Sequence, residues 1–291
     1  MDARNSMMLY LRIFFFSLLS CPLFAGQDSI VLVAEKDTPA LNKLYKNLQL
    51  LAPEYKYSIS TEKSKLKINS DDFVILVGSK APQYFDLAKH KRSVAALVTK
   101  QQANLLEVQS SIWVEPPLSR QLTLANLVVP GDKKIGLLVN SEESKQEQLS
   151  GLSELQKAML KVVNLTEYEN INQALYHALK DTRLLLGSYN NRIYNAKNIK
   201  NILITSYRQQ KVLVGPSRAY LKAGSFATTF SDLSHIAKRI LEVIKQYQLS
   251  GSWTAADYNP YYRILFNQQV ARSLNIRVMN DDVLKQRMRE Q

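Results

Sequence analysis

Cysteine and histidine are almost absent from this sequence, and their absence excludes several kinds of chemistry. The chain has one cysteine, Cys21, which lies in a hydrophobic N-terminal segment. If that segment is removed, no disulfide and no thiolate nucleophile remains. The three histidines, His90, His177 and His235, lie far apart, which argues against a zinc site of the usual kind. We therefore expect neither a metal nor any other cofactor.

Sequence motifs of the common catalytic sites are also missing. There is no Gly-x-Ser-x-Gly nucleophile elbow, no phosphate-binding loop and no zinc motif. Ser79 follows a predicted strand, but no histidine is marked as its base. The acidic pairs Asp71-Asp72 and Asp281-Asp282 lie in polar turns and are expected to be solvated caps. These absences favour a binding protein over an enzyme; a hydrolase or isomerase of the same fold class is the alternative.

The first 25 residues have the three parts of a secretory signal. Arg4 and Arg12 provide the positive charge, residues 13–19 the short apolar core, and Ala25 a small residue at the end. The uncharged run up to Ala25 is shorter than the roughly 20 residues that a membrane-spanning helix needs. We expect a signal peptide over residues 1–25 and a periplasmic protein.

A second processing route stays open. Leu18-Leu19-Ser20-Cys21 resembles a lipoprotein box, in which Cys21 would become the lipidated first residue. The residues after it are apolar, and the first predicted strand begins almost at once. Cleavage after Ala25 is therefore the favoured prediction. Lipidation at Cys21 is the alternative, and it would give a membrane-anchored lipoprotein.

The composition is that of a folded and strongly basic protein. Hydrophobic residues make up 46% of the chain, and the formal net charge is +13. Such a charge suits nucleic acid, anionic lipid or an acidic partner. The basic residues are scattered along predicted helices, with no RNA-binding or helix-turn-helix signature. For an exported chain this favours a basic surface facing lipid headgroups, and no nucleic-acid partner.

Short apolar runs alternate with amphipathic stretches along the chain. Runs such as FVILVG at 73–78 and KIGLLVN at 134–140 predict buried strands, and the stretches between them predict covering helices. This alternation predicts an α/β protein with two Rossmann-like lobes, parallel sheets and a central cleft. The predicted N-terminal lobe is 26–115, the C-terminal lobe is 116–224, and 225–291 is a crossover and closing segment that partly returns to the first lobe.

Three segments carry a resemblance to a known family: 134–139 (KIGLLV), 215–225 (GPSRAYLKAGS) and 267–276 (NQQVARSLNI). They resemble the uncharacterised ABC-type substrate-binding proteins, the group that includes tryptophan- and tyrosine-type periplasmic components. The resemblance implies a class-I periplasmic-binding-protein fold, with two α/β lobes, a hinge crossed more than once and a ligand held in the cleft. It also implies an ABC permease as partner. The turn at 187–191 and the pair Ser225-Phe226 depart from the family pattern, so the usual ligand does not follow.

Candidate ligand-binding residues come from a general rule about parallel sheets. The binding crevice lies beyond the carboxyl ends of the strands, which here are followed by loops such as Asp37–Pro39, Glu115–Pro117 and Ser188–Asn190. The candidates are Thr38, Ser79, Lys80, Pro116, Arg120, Asn140, Ser141, Ser188, Tyr189, Asn190, Ser217 and Arg218. Hydroxyls and amides beside helix N-termini suit a carboxylate or a similar anion, and an arginine would bind a carboxylate in bidentate fashion.

Each candidate also has an ordinary structural explanation. Serine, threonine and asparagine at these places commonly cap helices, and Arg120 and Arg218 are the kind of cation often found on a surface. Trp113, a candidate for stacking on a ligand ring, is equally suited to a core. The sequence predicts a monomeric, extracytoplasmic protein that captures a small organic ligand, an amino acid or an aromatic acid among the options, for an ABC-type importer. An envelope sensor or adaptor with the same fold is the alternative.

Overall fold

The computed structural model describes residues 28–62, 68–80, 83, 86, 90–106 and 108–290. The predicted signal peptide over residues 1–25 and the lipidation at Cys21 lie outside these residues. Within the described part of the chain, no helix has the length and apolarity needed to cross a membrane. No group of three or more acidic, histidine or cysteine side chains in the same ranges is arranged to hold a metal ion.

The N-terminal lobe is built on a six-stranded sheet in which every strand pair is parallel. Its strands are β1 (Ser29–Val33), β2 (Lys56–Ser60), β3 (Phe73–Val77), β4 (Ser93–Val98), β5 (Ser110–Trp113) and β11 (Asp257–Tyr258), in the spatial order β11-β5-β4-β3-β1-β2. Its helices are α1 (Pro39–Leu51), α2 (Lys100–Asn104) and α9 (Leu233–Ser250).

The C-terminal lobe contains a second six-stranded sheet. Its strands are β6 (Lys134–Val139), β7 (Leu160–Asn164), β8 (Thr182–Leu186), β9 (Val212–Val214), β10 (Ala227–Phe230) and β12 (Arg263–Phe266), in the order β12-β10-β9-β8-β6-β7. Its helices are α3 (Leu118–Val128), α4 (Glu142–Ser150), α5 (Glu154–Ala158), α6 (Ile171–Leu179), α7 (Ile199–Arg208), α8 (Arg218–Ala223), α10 (Gln268–Ser273) and α11 (Asp281–Arg289). The predicted α/β class with two mostly parallel sheets is confirmed; β12 is the exception, because it pairs antiparallel with β10.

The apolar strands are explained by helices on both faces of each sheet. β3 is buried along its whole length, as expected for a parallel strand covered on both sides. On one face, Leu41, Leu44 and Leu48 of α1 pack with the apolar stripe of α9 and with β1, β3 and β4. The long helix α9 thus belongs to the core of the N-terminal lobe, although it follows the C-terminal lobe in sequence.

The chain passes between the two sheets at three places: residues 114–117, 231–232 and 259–262. The predicted closing segment 225–291 is therefore divided between the lobes. β10 completes the second sheet, α9 and β11 return to the first lobe, and the chain from β12 onward packs on the second.

Side-chain caps set the starts of two helices. Residues 142–159 form two helices, α4 and α5, because Ser153 begins a new helix through a capping box with Gln156. Asp232 caps the long helix α9, since its carboxylate accepts the backbone N–H groups of Ser234 and His235.

Two residues fix the interior of the C-terminal lobe. Gly136 lies in the middle of β6, where a Cβ atom would clash with the backbone carbonyl oxygen of Ala178 at the end of α6. Gln121 of α3 is 1% exposed. Its Nε2 donates to the Gly215 carbonyl at 2.8 Å, and its Oε1 accepts from the backbone N–H of Thr229 at 3.0 Å. Glycine lets α6 lie directly on the sheet, and glutamine ties α3 to β10.

Candidate functional site

The N-terminal lobe ends in an aromatic and acidic wall where β5 and β11 finish. Trp113 and Tyr258 meet edge to face, with ring centroids 4.7 Å apart. The Lys100 ammonium lies 5.4 Å from the centre of the Trp113 ring. The backbone N–H of Lys100 donates to Oε1 of Glu115 at 2.7 Å. These four residues come from three neighbouring segments, which the parallel sheet brings together at its carboxyl edge.

Glu115 is the acidic residue of this wall. Burial raises the pKa of its carboxyl group, the hydrogen bond from Lys100 opposes this, and the negative charge of Glu147 raises it further. Its second oxygen, Oε2, is buried and has no hydrogen-bond partner among the described residues. A carboxylate oxygen buried without a partner is costly, so Oε2 of Glu115 is an unused hydrogen-bond acceptor.

Amides and hydroxyls form the facing wall on the C-terminal lobe. Nδ2 of Asn190 donates to Oδ1 of Asn140 and, at 3.2 Å, to the hydroxyl of Ser144. Ser188 is 5% exposed, and its hydroxyl has no partner among the described residues. Four polar side chains that follow β6 and β8 are thereby gathered at one edge of the sheet.

Tyr189 of the C-terminal lobe interacts electrostatically with Glu115 of the N-terminal lobe. Its side chain is 45% exposed. Partial burial raises the pKa of its phenol, and the charge of Glu115 on the other lobe raises it further. The same carboxylate, after burial, helps to raise the pKa of Tyr258 to about 12. Both tyrosines stay neutral at physiological pH and can donate or accept hydrogen bonds. Glu115 and Tyr189 therefore interact electrostatically although they belong to different lobes.

Arg120 lies at the hinge between the lobes. Its Nη2 donates to the Asn259 carbonyl at 2.9 Å, and its guanidinium carbon lies 4.3 Å from the centre of the Tyr262 ring. Both partners belong to the third crossing of the chain. Asn259 is 2% exposed, and its Nδ2 has no partner among the described residues. Arg120, predicted as a ligand-binding residue, thus contacts the third crossing of the chain at the hinge.

The other predicted site residues have ordinary structural roles or lie at the rim. Thr38 and Ser141 cap α1 and α4. Ser217 precedes α8 without a side-chain cap, and Arg218 is exposed with its guanidinium 5.4 Å from the Phe230 ring. Lys80 pairs loosely with Glu35 at 4.0 Å beside exposed Ser79, and Pro116 lies in the first crossing. Of the predicted set, Asn140, Ser188, Tyr189 and Asn190 come together.

Sequence reasoning missed Glu115 although the signal was present. The rule for parallel sheets selects the loop after β5, but it does not distinguish Pro116 from the carboxylate beside it. Four other residues of this region are less clearly indicated by the sequence: Lys100, Glu147, Tyr258 and Asn259. Tyr258 lies in a strand of two residues within a stretch predicted to be irregular, and Asn259 follows it directly. Only the pairing of β11 with β5 brings Tyr258 to Trp113.

Comparisons with known proteins identify the fold. No protein-family model matches the chain, and no curated protein matches it either. A substrate-binding protein with adhesive properties from Clostridium difficile matches at a TM-score of 0.65 and 13% identity, over 87% of this chain and 96% of the other. The ABC domain from Streptococcus pneumonia, solved with L-Trp, matches at 0.53 and 20%, over 89% and 98%.

A conserved domain protein from Vibrio cholerae matches at a TM-score of 0.53 and 16% identity, over 90% of this chain and 98% of the other. Each comparison covers most of both chains. The chain therefore has the class-I periplasmic-binding-protein-like fold of substrate-binding proteins.

Proposed function

We propose that this protein is an extracytoplasmic solute-binding protein that closes its two lobes on a small organic ligand and delivers it to an ABC-type importer. In this proposal it is a periplasmic monomer that binds and releases its ligand unchanged, without catalysis. An ABC permease is its partner, and it is held at the membrane only if Cys21 is lipidated.

One observation carries the proposal: Glu115 has a buried, unpartnered Oε2, and its charge acts on Tyr189 of the opposite lobe. A ligand between the lobes would satisfy this oxygen and the free hydroxyl of Ser188 at once. Binding sites of this kind combine a mostly apolar lining with a few placed polar groups. Trp113 and Tyr258 supply the aromatic part of such a lining.

The chemistry of the walls favours a ligand with a positively charged amino group. A buried carboxylate binds an ammonium group through a charge-assisted hydrogen bond, and aromatic faces attract the same charge. The amides at Asn140 and Asn190 and the hydroxyl of Ser188 suit the opposite, carboxylate end. An amino acid has both ends, and the structural neighbour from Streptococcus pneumonia was solved with L-Trp.

A thermal-shift screen of the purified protein against amino acids, aromatic acids and nucleosides tests the proposal. We expect stabilisation by one or a few amino acids, since a ligand that binds only the folded state raises its stability. Calorimetry on the best ligand should then show that Glu115→Gln weakens binding about tenfold or more, because a charged acceptor becomes a neutral amide.

Glu154→Gln is the matched control, since Glu154 pairs with Lys157 on α5 and its side chain is 88% exposed. This variant should bind as tightly as the parent. If no compound in the screen stabilises the protein, the solute-binding proposal fails. If a ligand binds and Glu115→Gln binds it equally well, the assignment of Glu115 is wrong.

A non-transport use of the fold is the second candidate, as an envelope sensor or adaptor. It is favoured by the neighbour from Clostridium difficile, which is described as a substrate-binding protein with adhesive properties. Cross-linking in cells followed by mass spectrometry separates the two. Recovery of permease subunits alone would remove the adaptor, whereas recovery of a signalling or outer-membrane receptor without a permease would favour it.

A further inference from the structure

Basic residues begin four neighbouring strands of the second sheet. Lys133 and Lys134 lie at the start of β6, Lys161 is the second residue of β7, Lys180 and Arg183 flank the start of β8, and Lys211 directly precedes β9. We call these six residues the basic edge. Strand pairing places them in a row, because Lys134 lies opposite Thr182, Lys161 opposite Gly136, and Leu184 opposite Val212.

The spacing of strands fixes the size of this row. Neighbouring strands lie about 4.8 Å apart, so four strands span roughly 15 Å between the first and the last. In a parallel sheet all strand starts lie at the same edge, and the cleft lies at the other. The basic edge is therefore at the pole of the C-terminal lobe that is farthest from the cleft.

Two members of the basic edge have a structural role. Arg183 donates to the Val129 carbonyl at 2.8 Å and to Asn126 Oδ1 at 2.7 Å, and Lys161 donates to the Lys180 carbonyl at 2.7 Å. These cations satisfy carbonyl groups at the ends of α3 and α6, where the helix dipole favours positive charge.

The remaining four lysines of the basic edge form no ion pair among the described residues. Among the described residues, no carboxylate lies within 4.0 Å of the ammonium groups of Lys133, Lys134, Lys180 or Lys211. The nearest acidic residues in sequence are Asp132 and Asp181, and Asp132 acts on Arg183. Repelling charges gathered without partners do not help the fold, which points to an external anion.

Exposed apolar groups border these lysines. Leu155 of α5 is 83% exposed, and α5 leads directly into Met159, whose carbonyl accepts the N–H of Ile135 beside Lys134. Tyr176 is 55% exposed, and its carbonyl accepts the N–H of Lys180. Binding of a soluble polyanion does not require an exposed leucine, whereas a membrane interface accommodates leucine, tyrosine and lysine together.

We propose that the basic edge is a docking surface for the anionic headgroups of a phospholipid bilayer, with Leu155 and Tyr176 entering the interfacial region. The lysines supply attraction over the Debye length, and the two apolar side chains supply short-range binding. Because the surface lies at the pole away from the cleft, docking leaves the cleft open to solutes. The inference is independent of the proposed solute-binding function.

Vesicle co-sedimentation of the protein, purified after export, tests the proposal. We expect binding to vesicles that contain phosphatidylglycerol, little binding to pure phosphatidylcholine vesicles, and loss of binding at high salt. The double variant Lys133→Gln, Lys134→Gln should bind about 25-fold more weakly, since each lysine near an anionic surface contributes about fivefold.

A matched control is the double variant Lys43→Gln, Lys46→Gln, which removes the same charge from the exposed face of α1 in the other lobe. It should bind within about twofold of the parent. Leu155→Ser should weaken vesicle binding and leave binding to the soluble polyanion heparin unchanged. Circular dichroism melts confirm that each variant is folded.

The proposal is overturned if the parent protein does not bind phosphatidylglycerol vesicles, or if both lysine pairs matter equally. It is also overturned if heparin or an acidic peptide competes fully and Leu155→Ser binds vesicles like the parent, because the partner would then be a soluble polyanion.

Discussion

The two lobes share one architecture, yet an arginine at the start of a strand in the first lobe is paired with carboxylates, whereas several lysines at the strand starts of the second lobe are not. In the N-terminal lobe, Arg92 lies 3.7 Å from the Asp28 carboxylate and 4.0 Å from that of Asp71. It also donates to the Asp71 carbonyl at 2.6 Å and lies 5.1 Å from the Phe73 ring. At the strand starts of the C-terminal lobe, no carboxylate among the described residues pairs with Lys133, Lys134, Lys180 or Lys211.

The contrast concerns how cations are partnered in a chain whose formal net charge is +13. Paired charge, as at Arg92, contributes to the stability of its lobe. Unpaired charge at one pole is the basis of the proposed membrane docking. The cleft walls differ too, because the N-terminal lobe supplies a carboxylate and aromatic rings whereas the C-terminal lobe supplies amides and hydroxyls. In the proposed function, each lobe would thus contribute a different chemistry to a shared ligand.

The largest effect is expected at Gly136, which has no counterpart in the first sheet, since β1 contains no glycine. Gly136→Ala should lower the free energy of unfolding by about 3 kcal/mol, because its Cβ would overlap the Ala178 carbonyl. Urea unfolding measures the loss. Hydrogen exchange should show more opening in β6 and α6 than in β1 and α1.

Gly151→Ala serves as the control for that substitution. A Cβ at Gly151 would have no atom within 4 Å, so its stability should stay within about 0.5 kcal/mol of the parent. Equal losses at the two glycines would show that close packing of α6 on β6 is not what requires glycine.

A smaller effect is expected from Gln121→Leu. It leaves the Gly215 carbonyl and the Thr229 N–H buried without their partner, at a cost of about 2 kcal/mol. Thermal and urea unfolding would measure it. Gln49→Leu on the exposed side of α1 should change stability by less than about 0.5 kcal/mol. If Gln121→Leu left the free energy of unfolding unchanged, apolar packing alone would hold α3 on the second sheet.

The smallest effect compares the two edges directly. Arg92→Gln should cost about 1 kcal/mol, because it removes a partly buried cation from two carboxylates and an aromatic ring. Lys134→Gln should leave stability unchanged within about 0.5 kcal/mol. Chemical unfolding at low and high salt measures both, and the cost at Arg92 should shrink as salt rises. A larger loss of stability for Lys134→Gln than for Arg92→Gln would contradict this comparison between the lobes.

The sequence was sufficient for the fold because the fold depends on short-range patterns. The apolar runs at β3 and β6, the stripe on α1 and the turn at Pro130-Gly131 all act within a few residues. The resemblance to substrate-binding proteins is likewise supported by structural neighbours that span nearly the whole chain.

The site was harder to predict because side-chain direction depends on distant partners. Arg120 is turned toward Asn259 and Tyr262, about half the chain away in sequence. Thr38 and Ser141 satisfy helix N-termini a few residues away, which the sequence suggested as the alternative. The roles of the twelve predicted residues in ligand binding remain predictions, and the binding experiments at Glu115 are the first test of this cleft.

The three crossings of the hinge have a consequence for the order in which the lobes fold. The first lobe buries Ile236, Ile240 and Ile244 of α9 against strands that precede them by more than a hundred residues. As the chain emerges from a ribosome, this lobe cannot complete its core until most of the protein has appeared. The lobes must finish folding nearly together. A chaperone or membrane surface that shields the early strands would therefore act on most of the nascent chain.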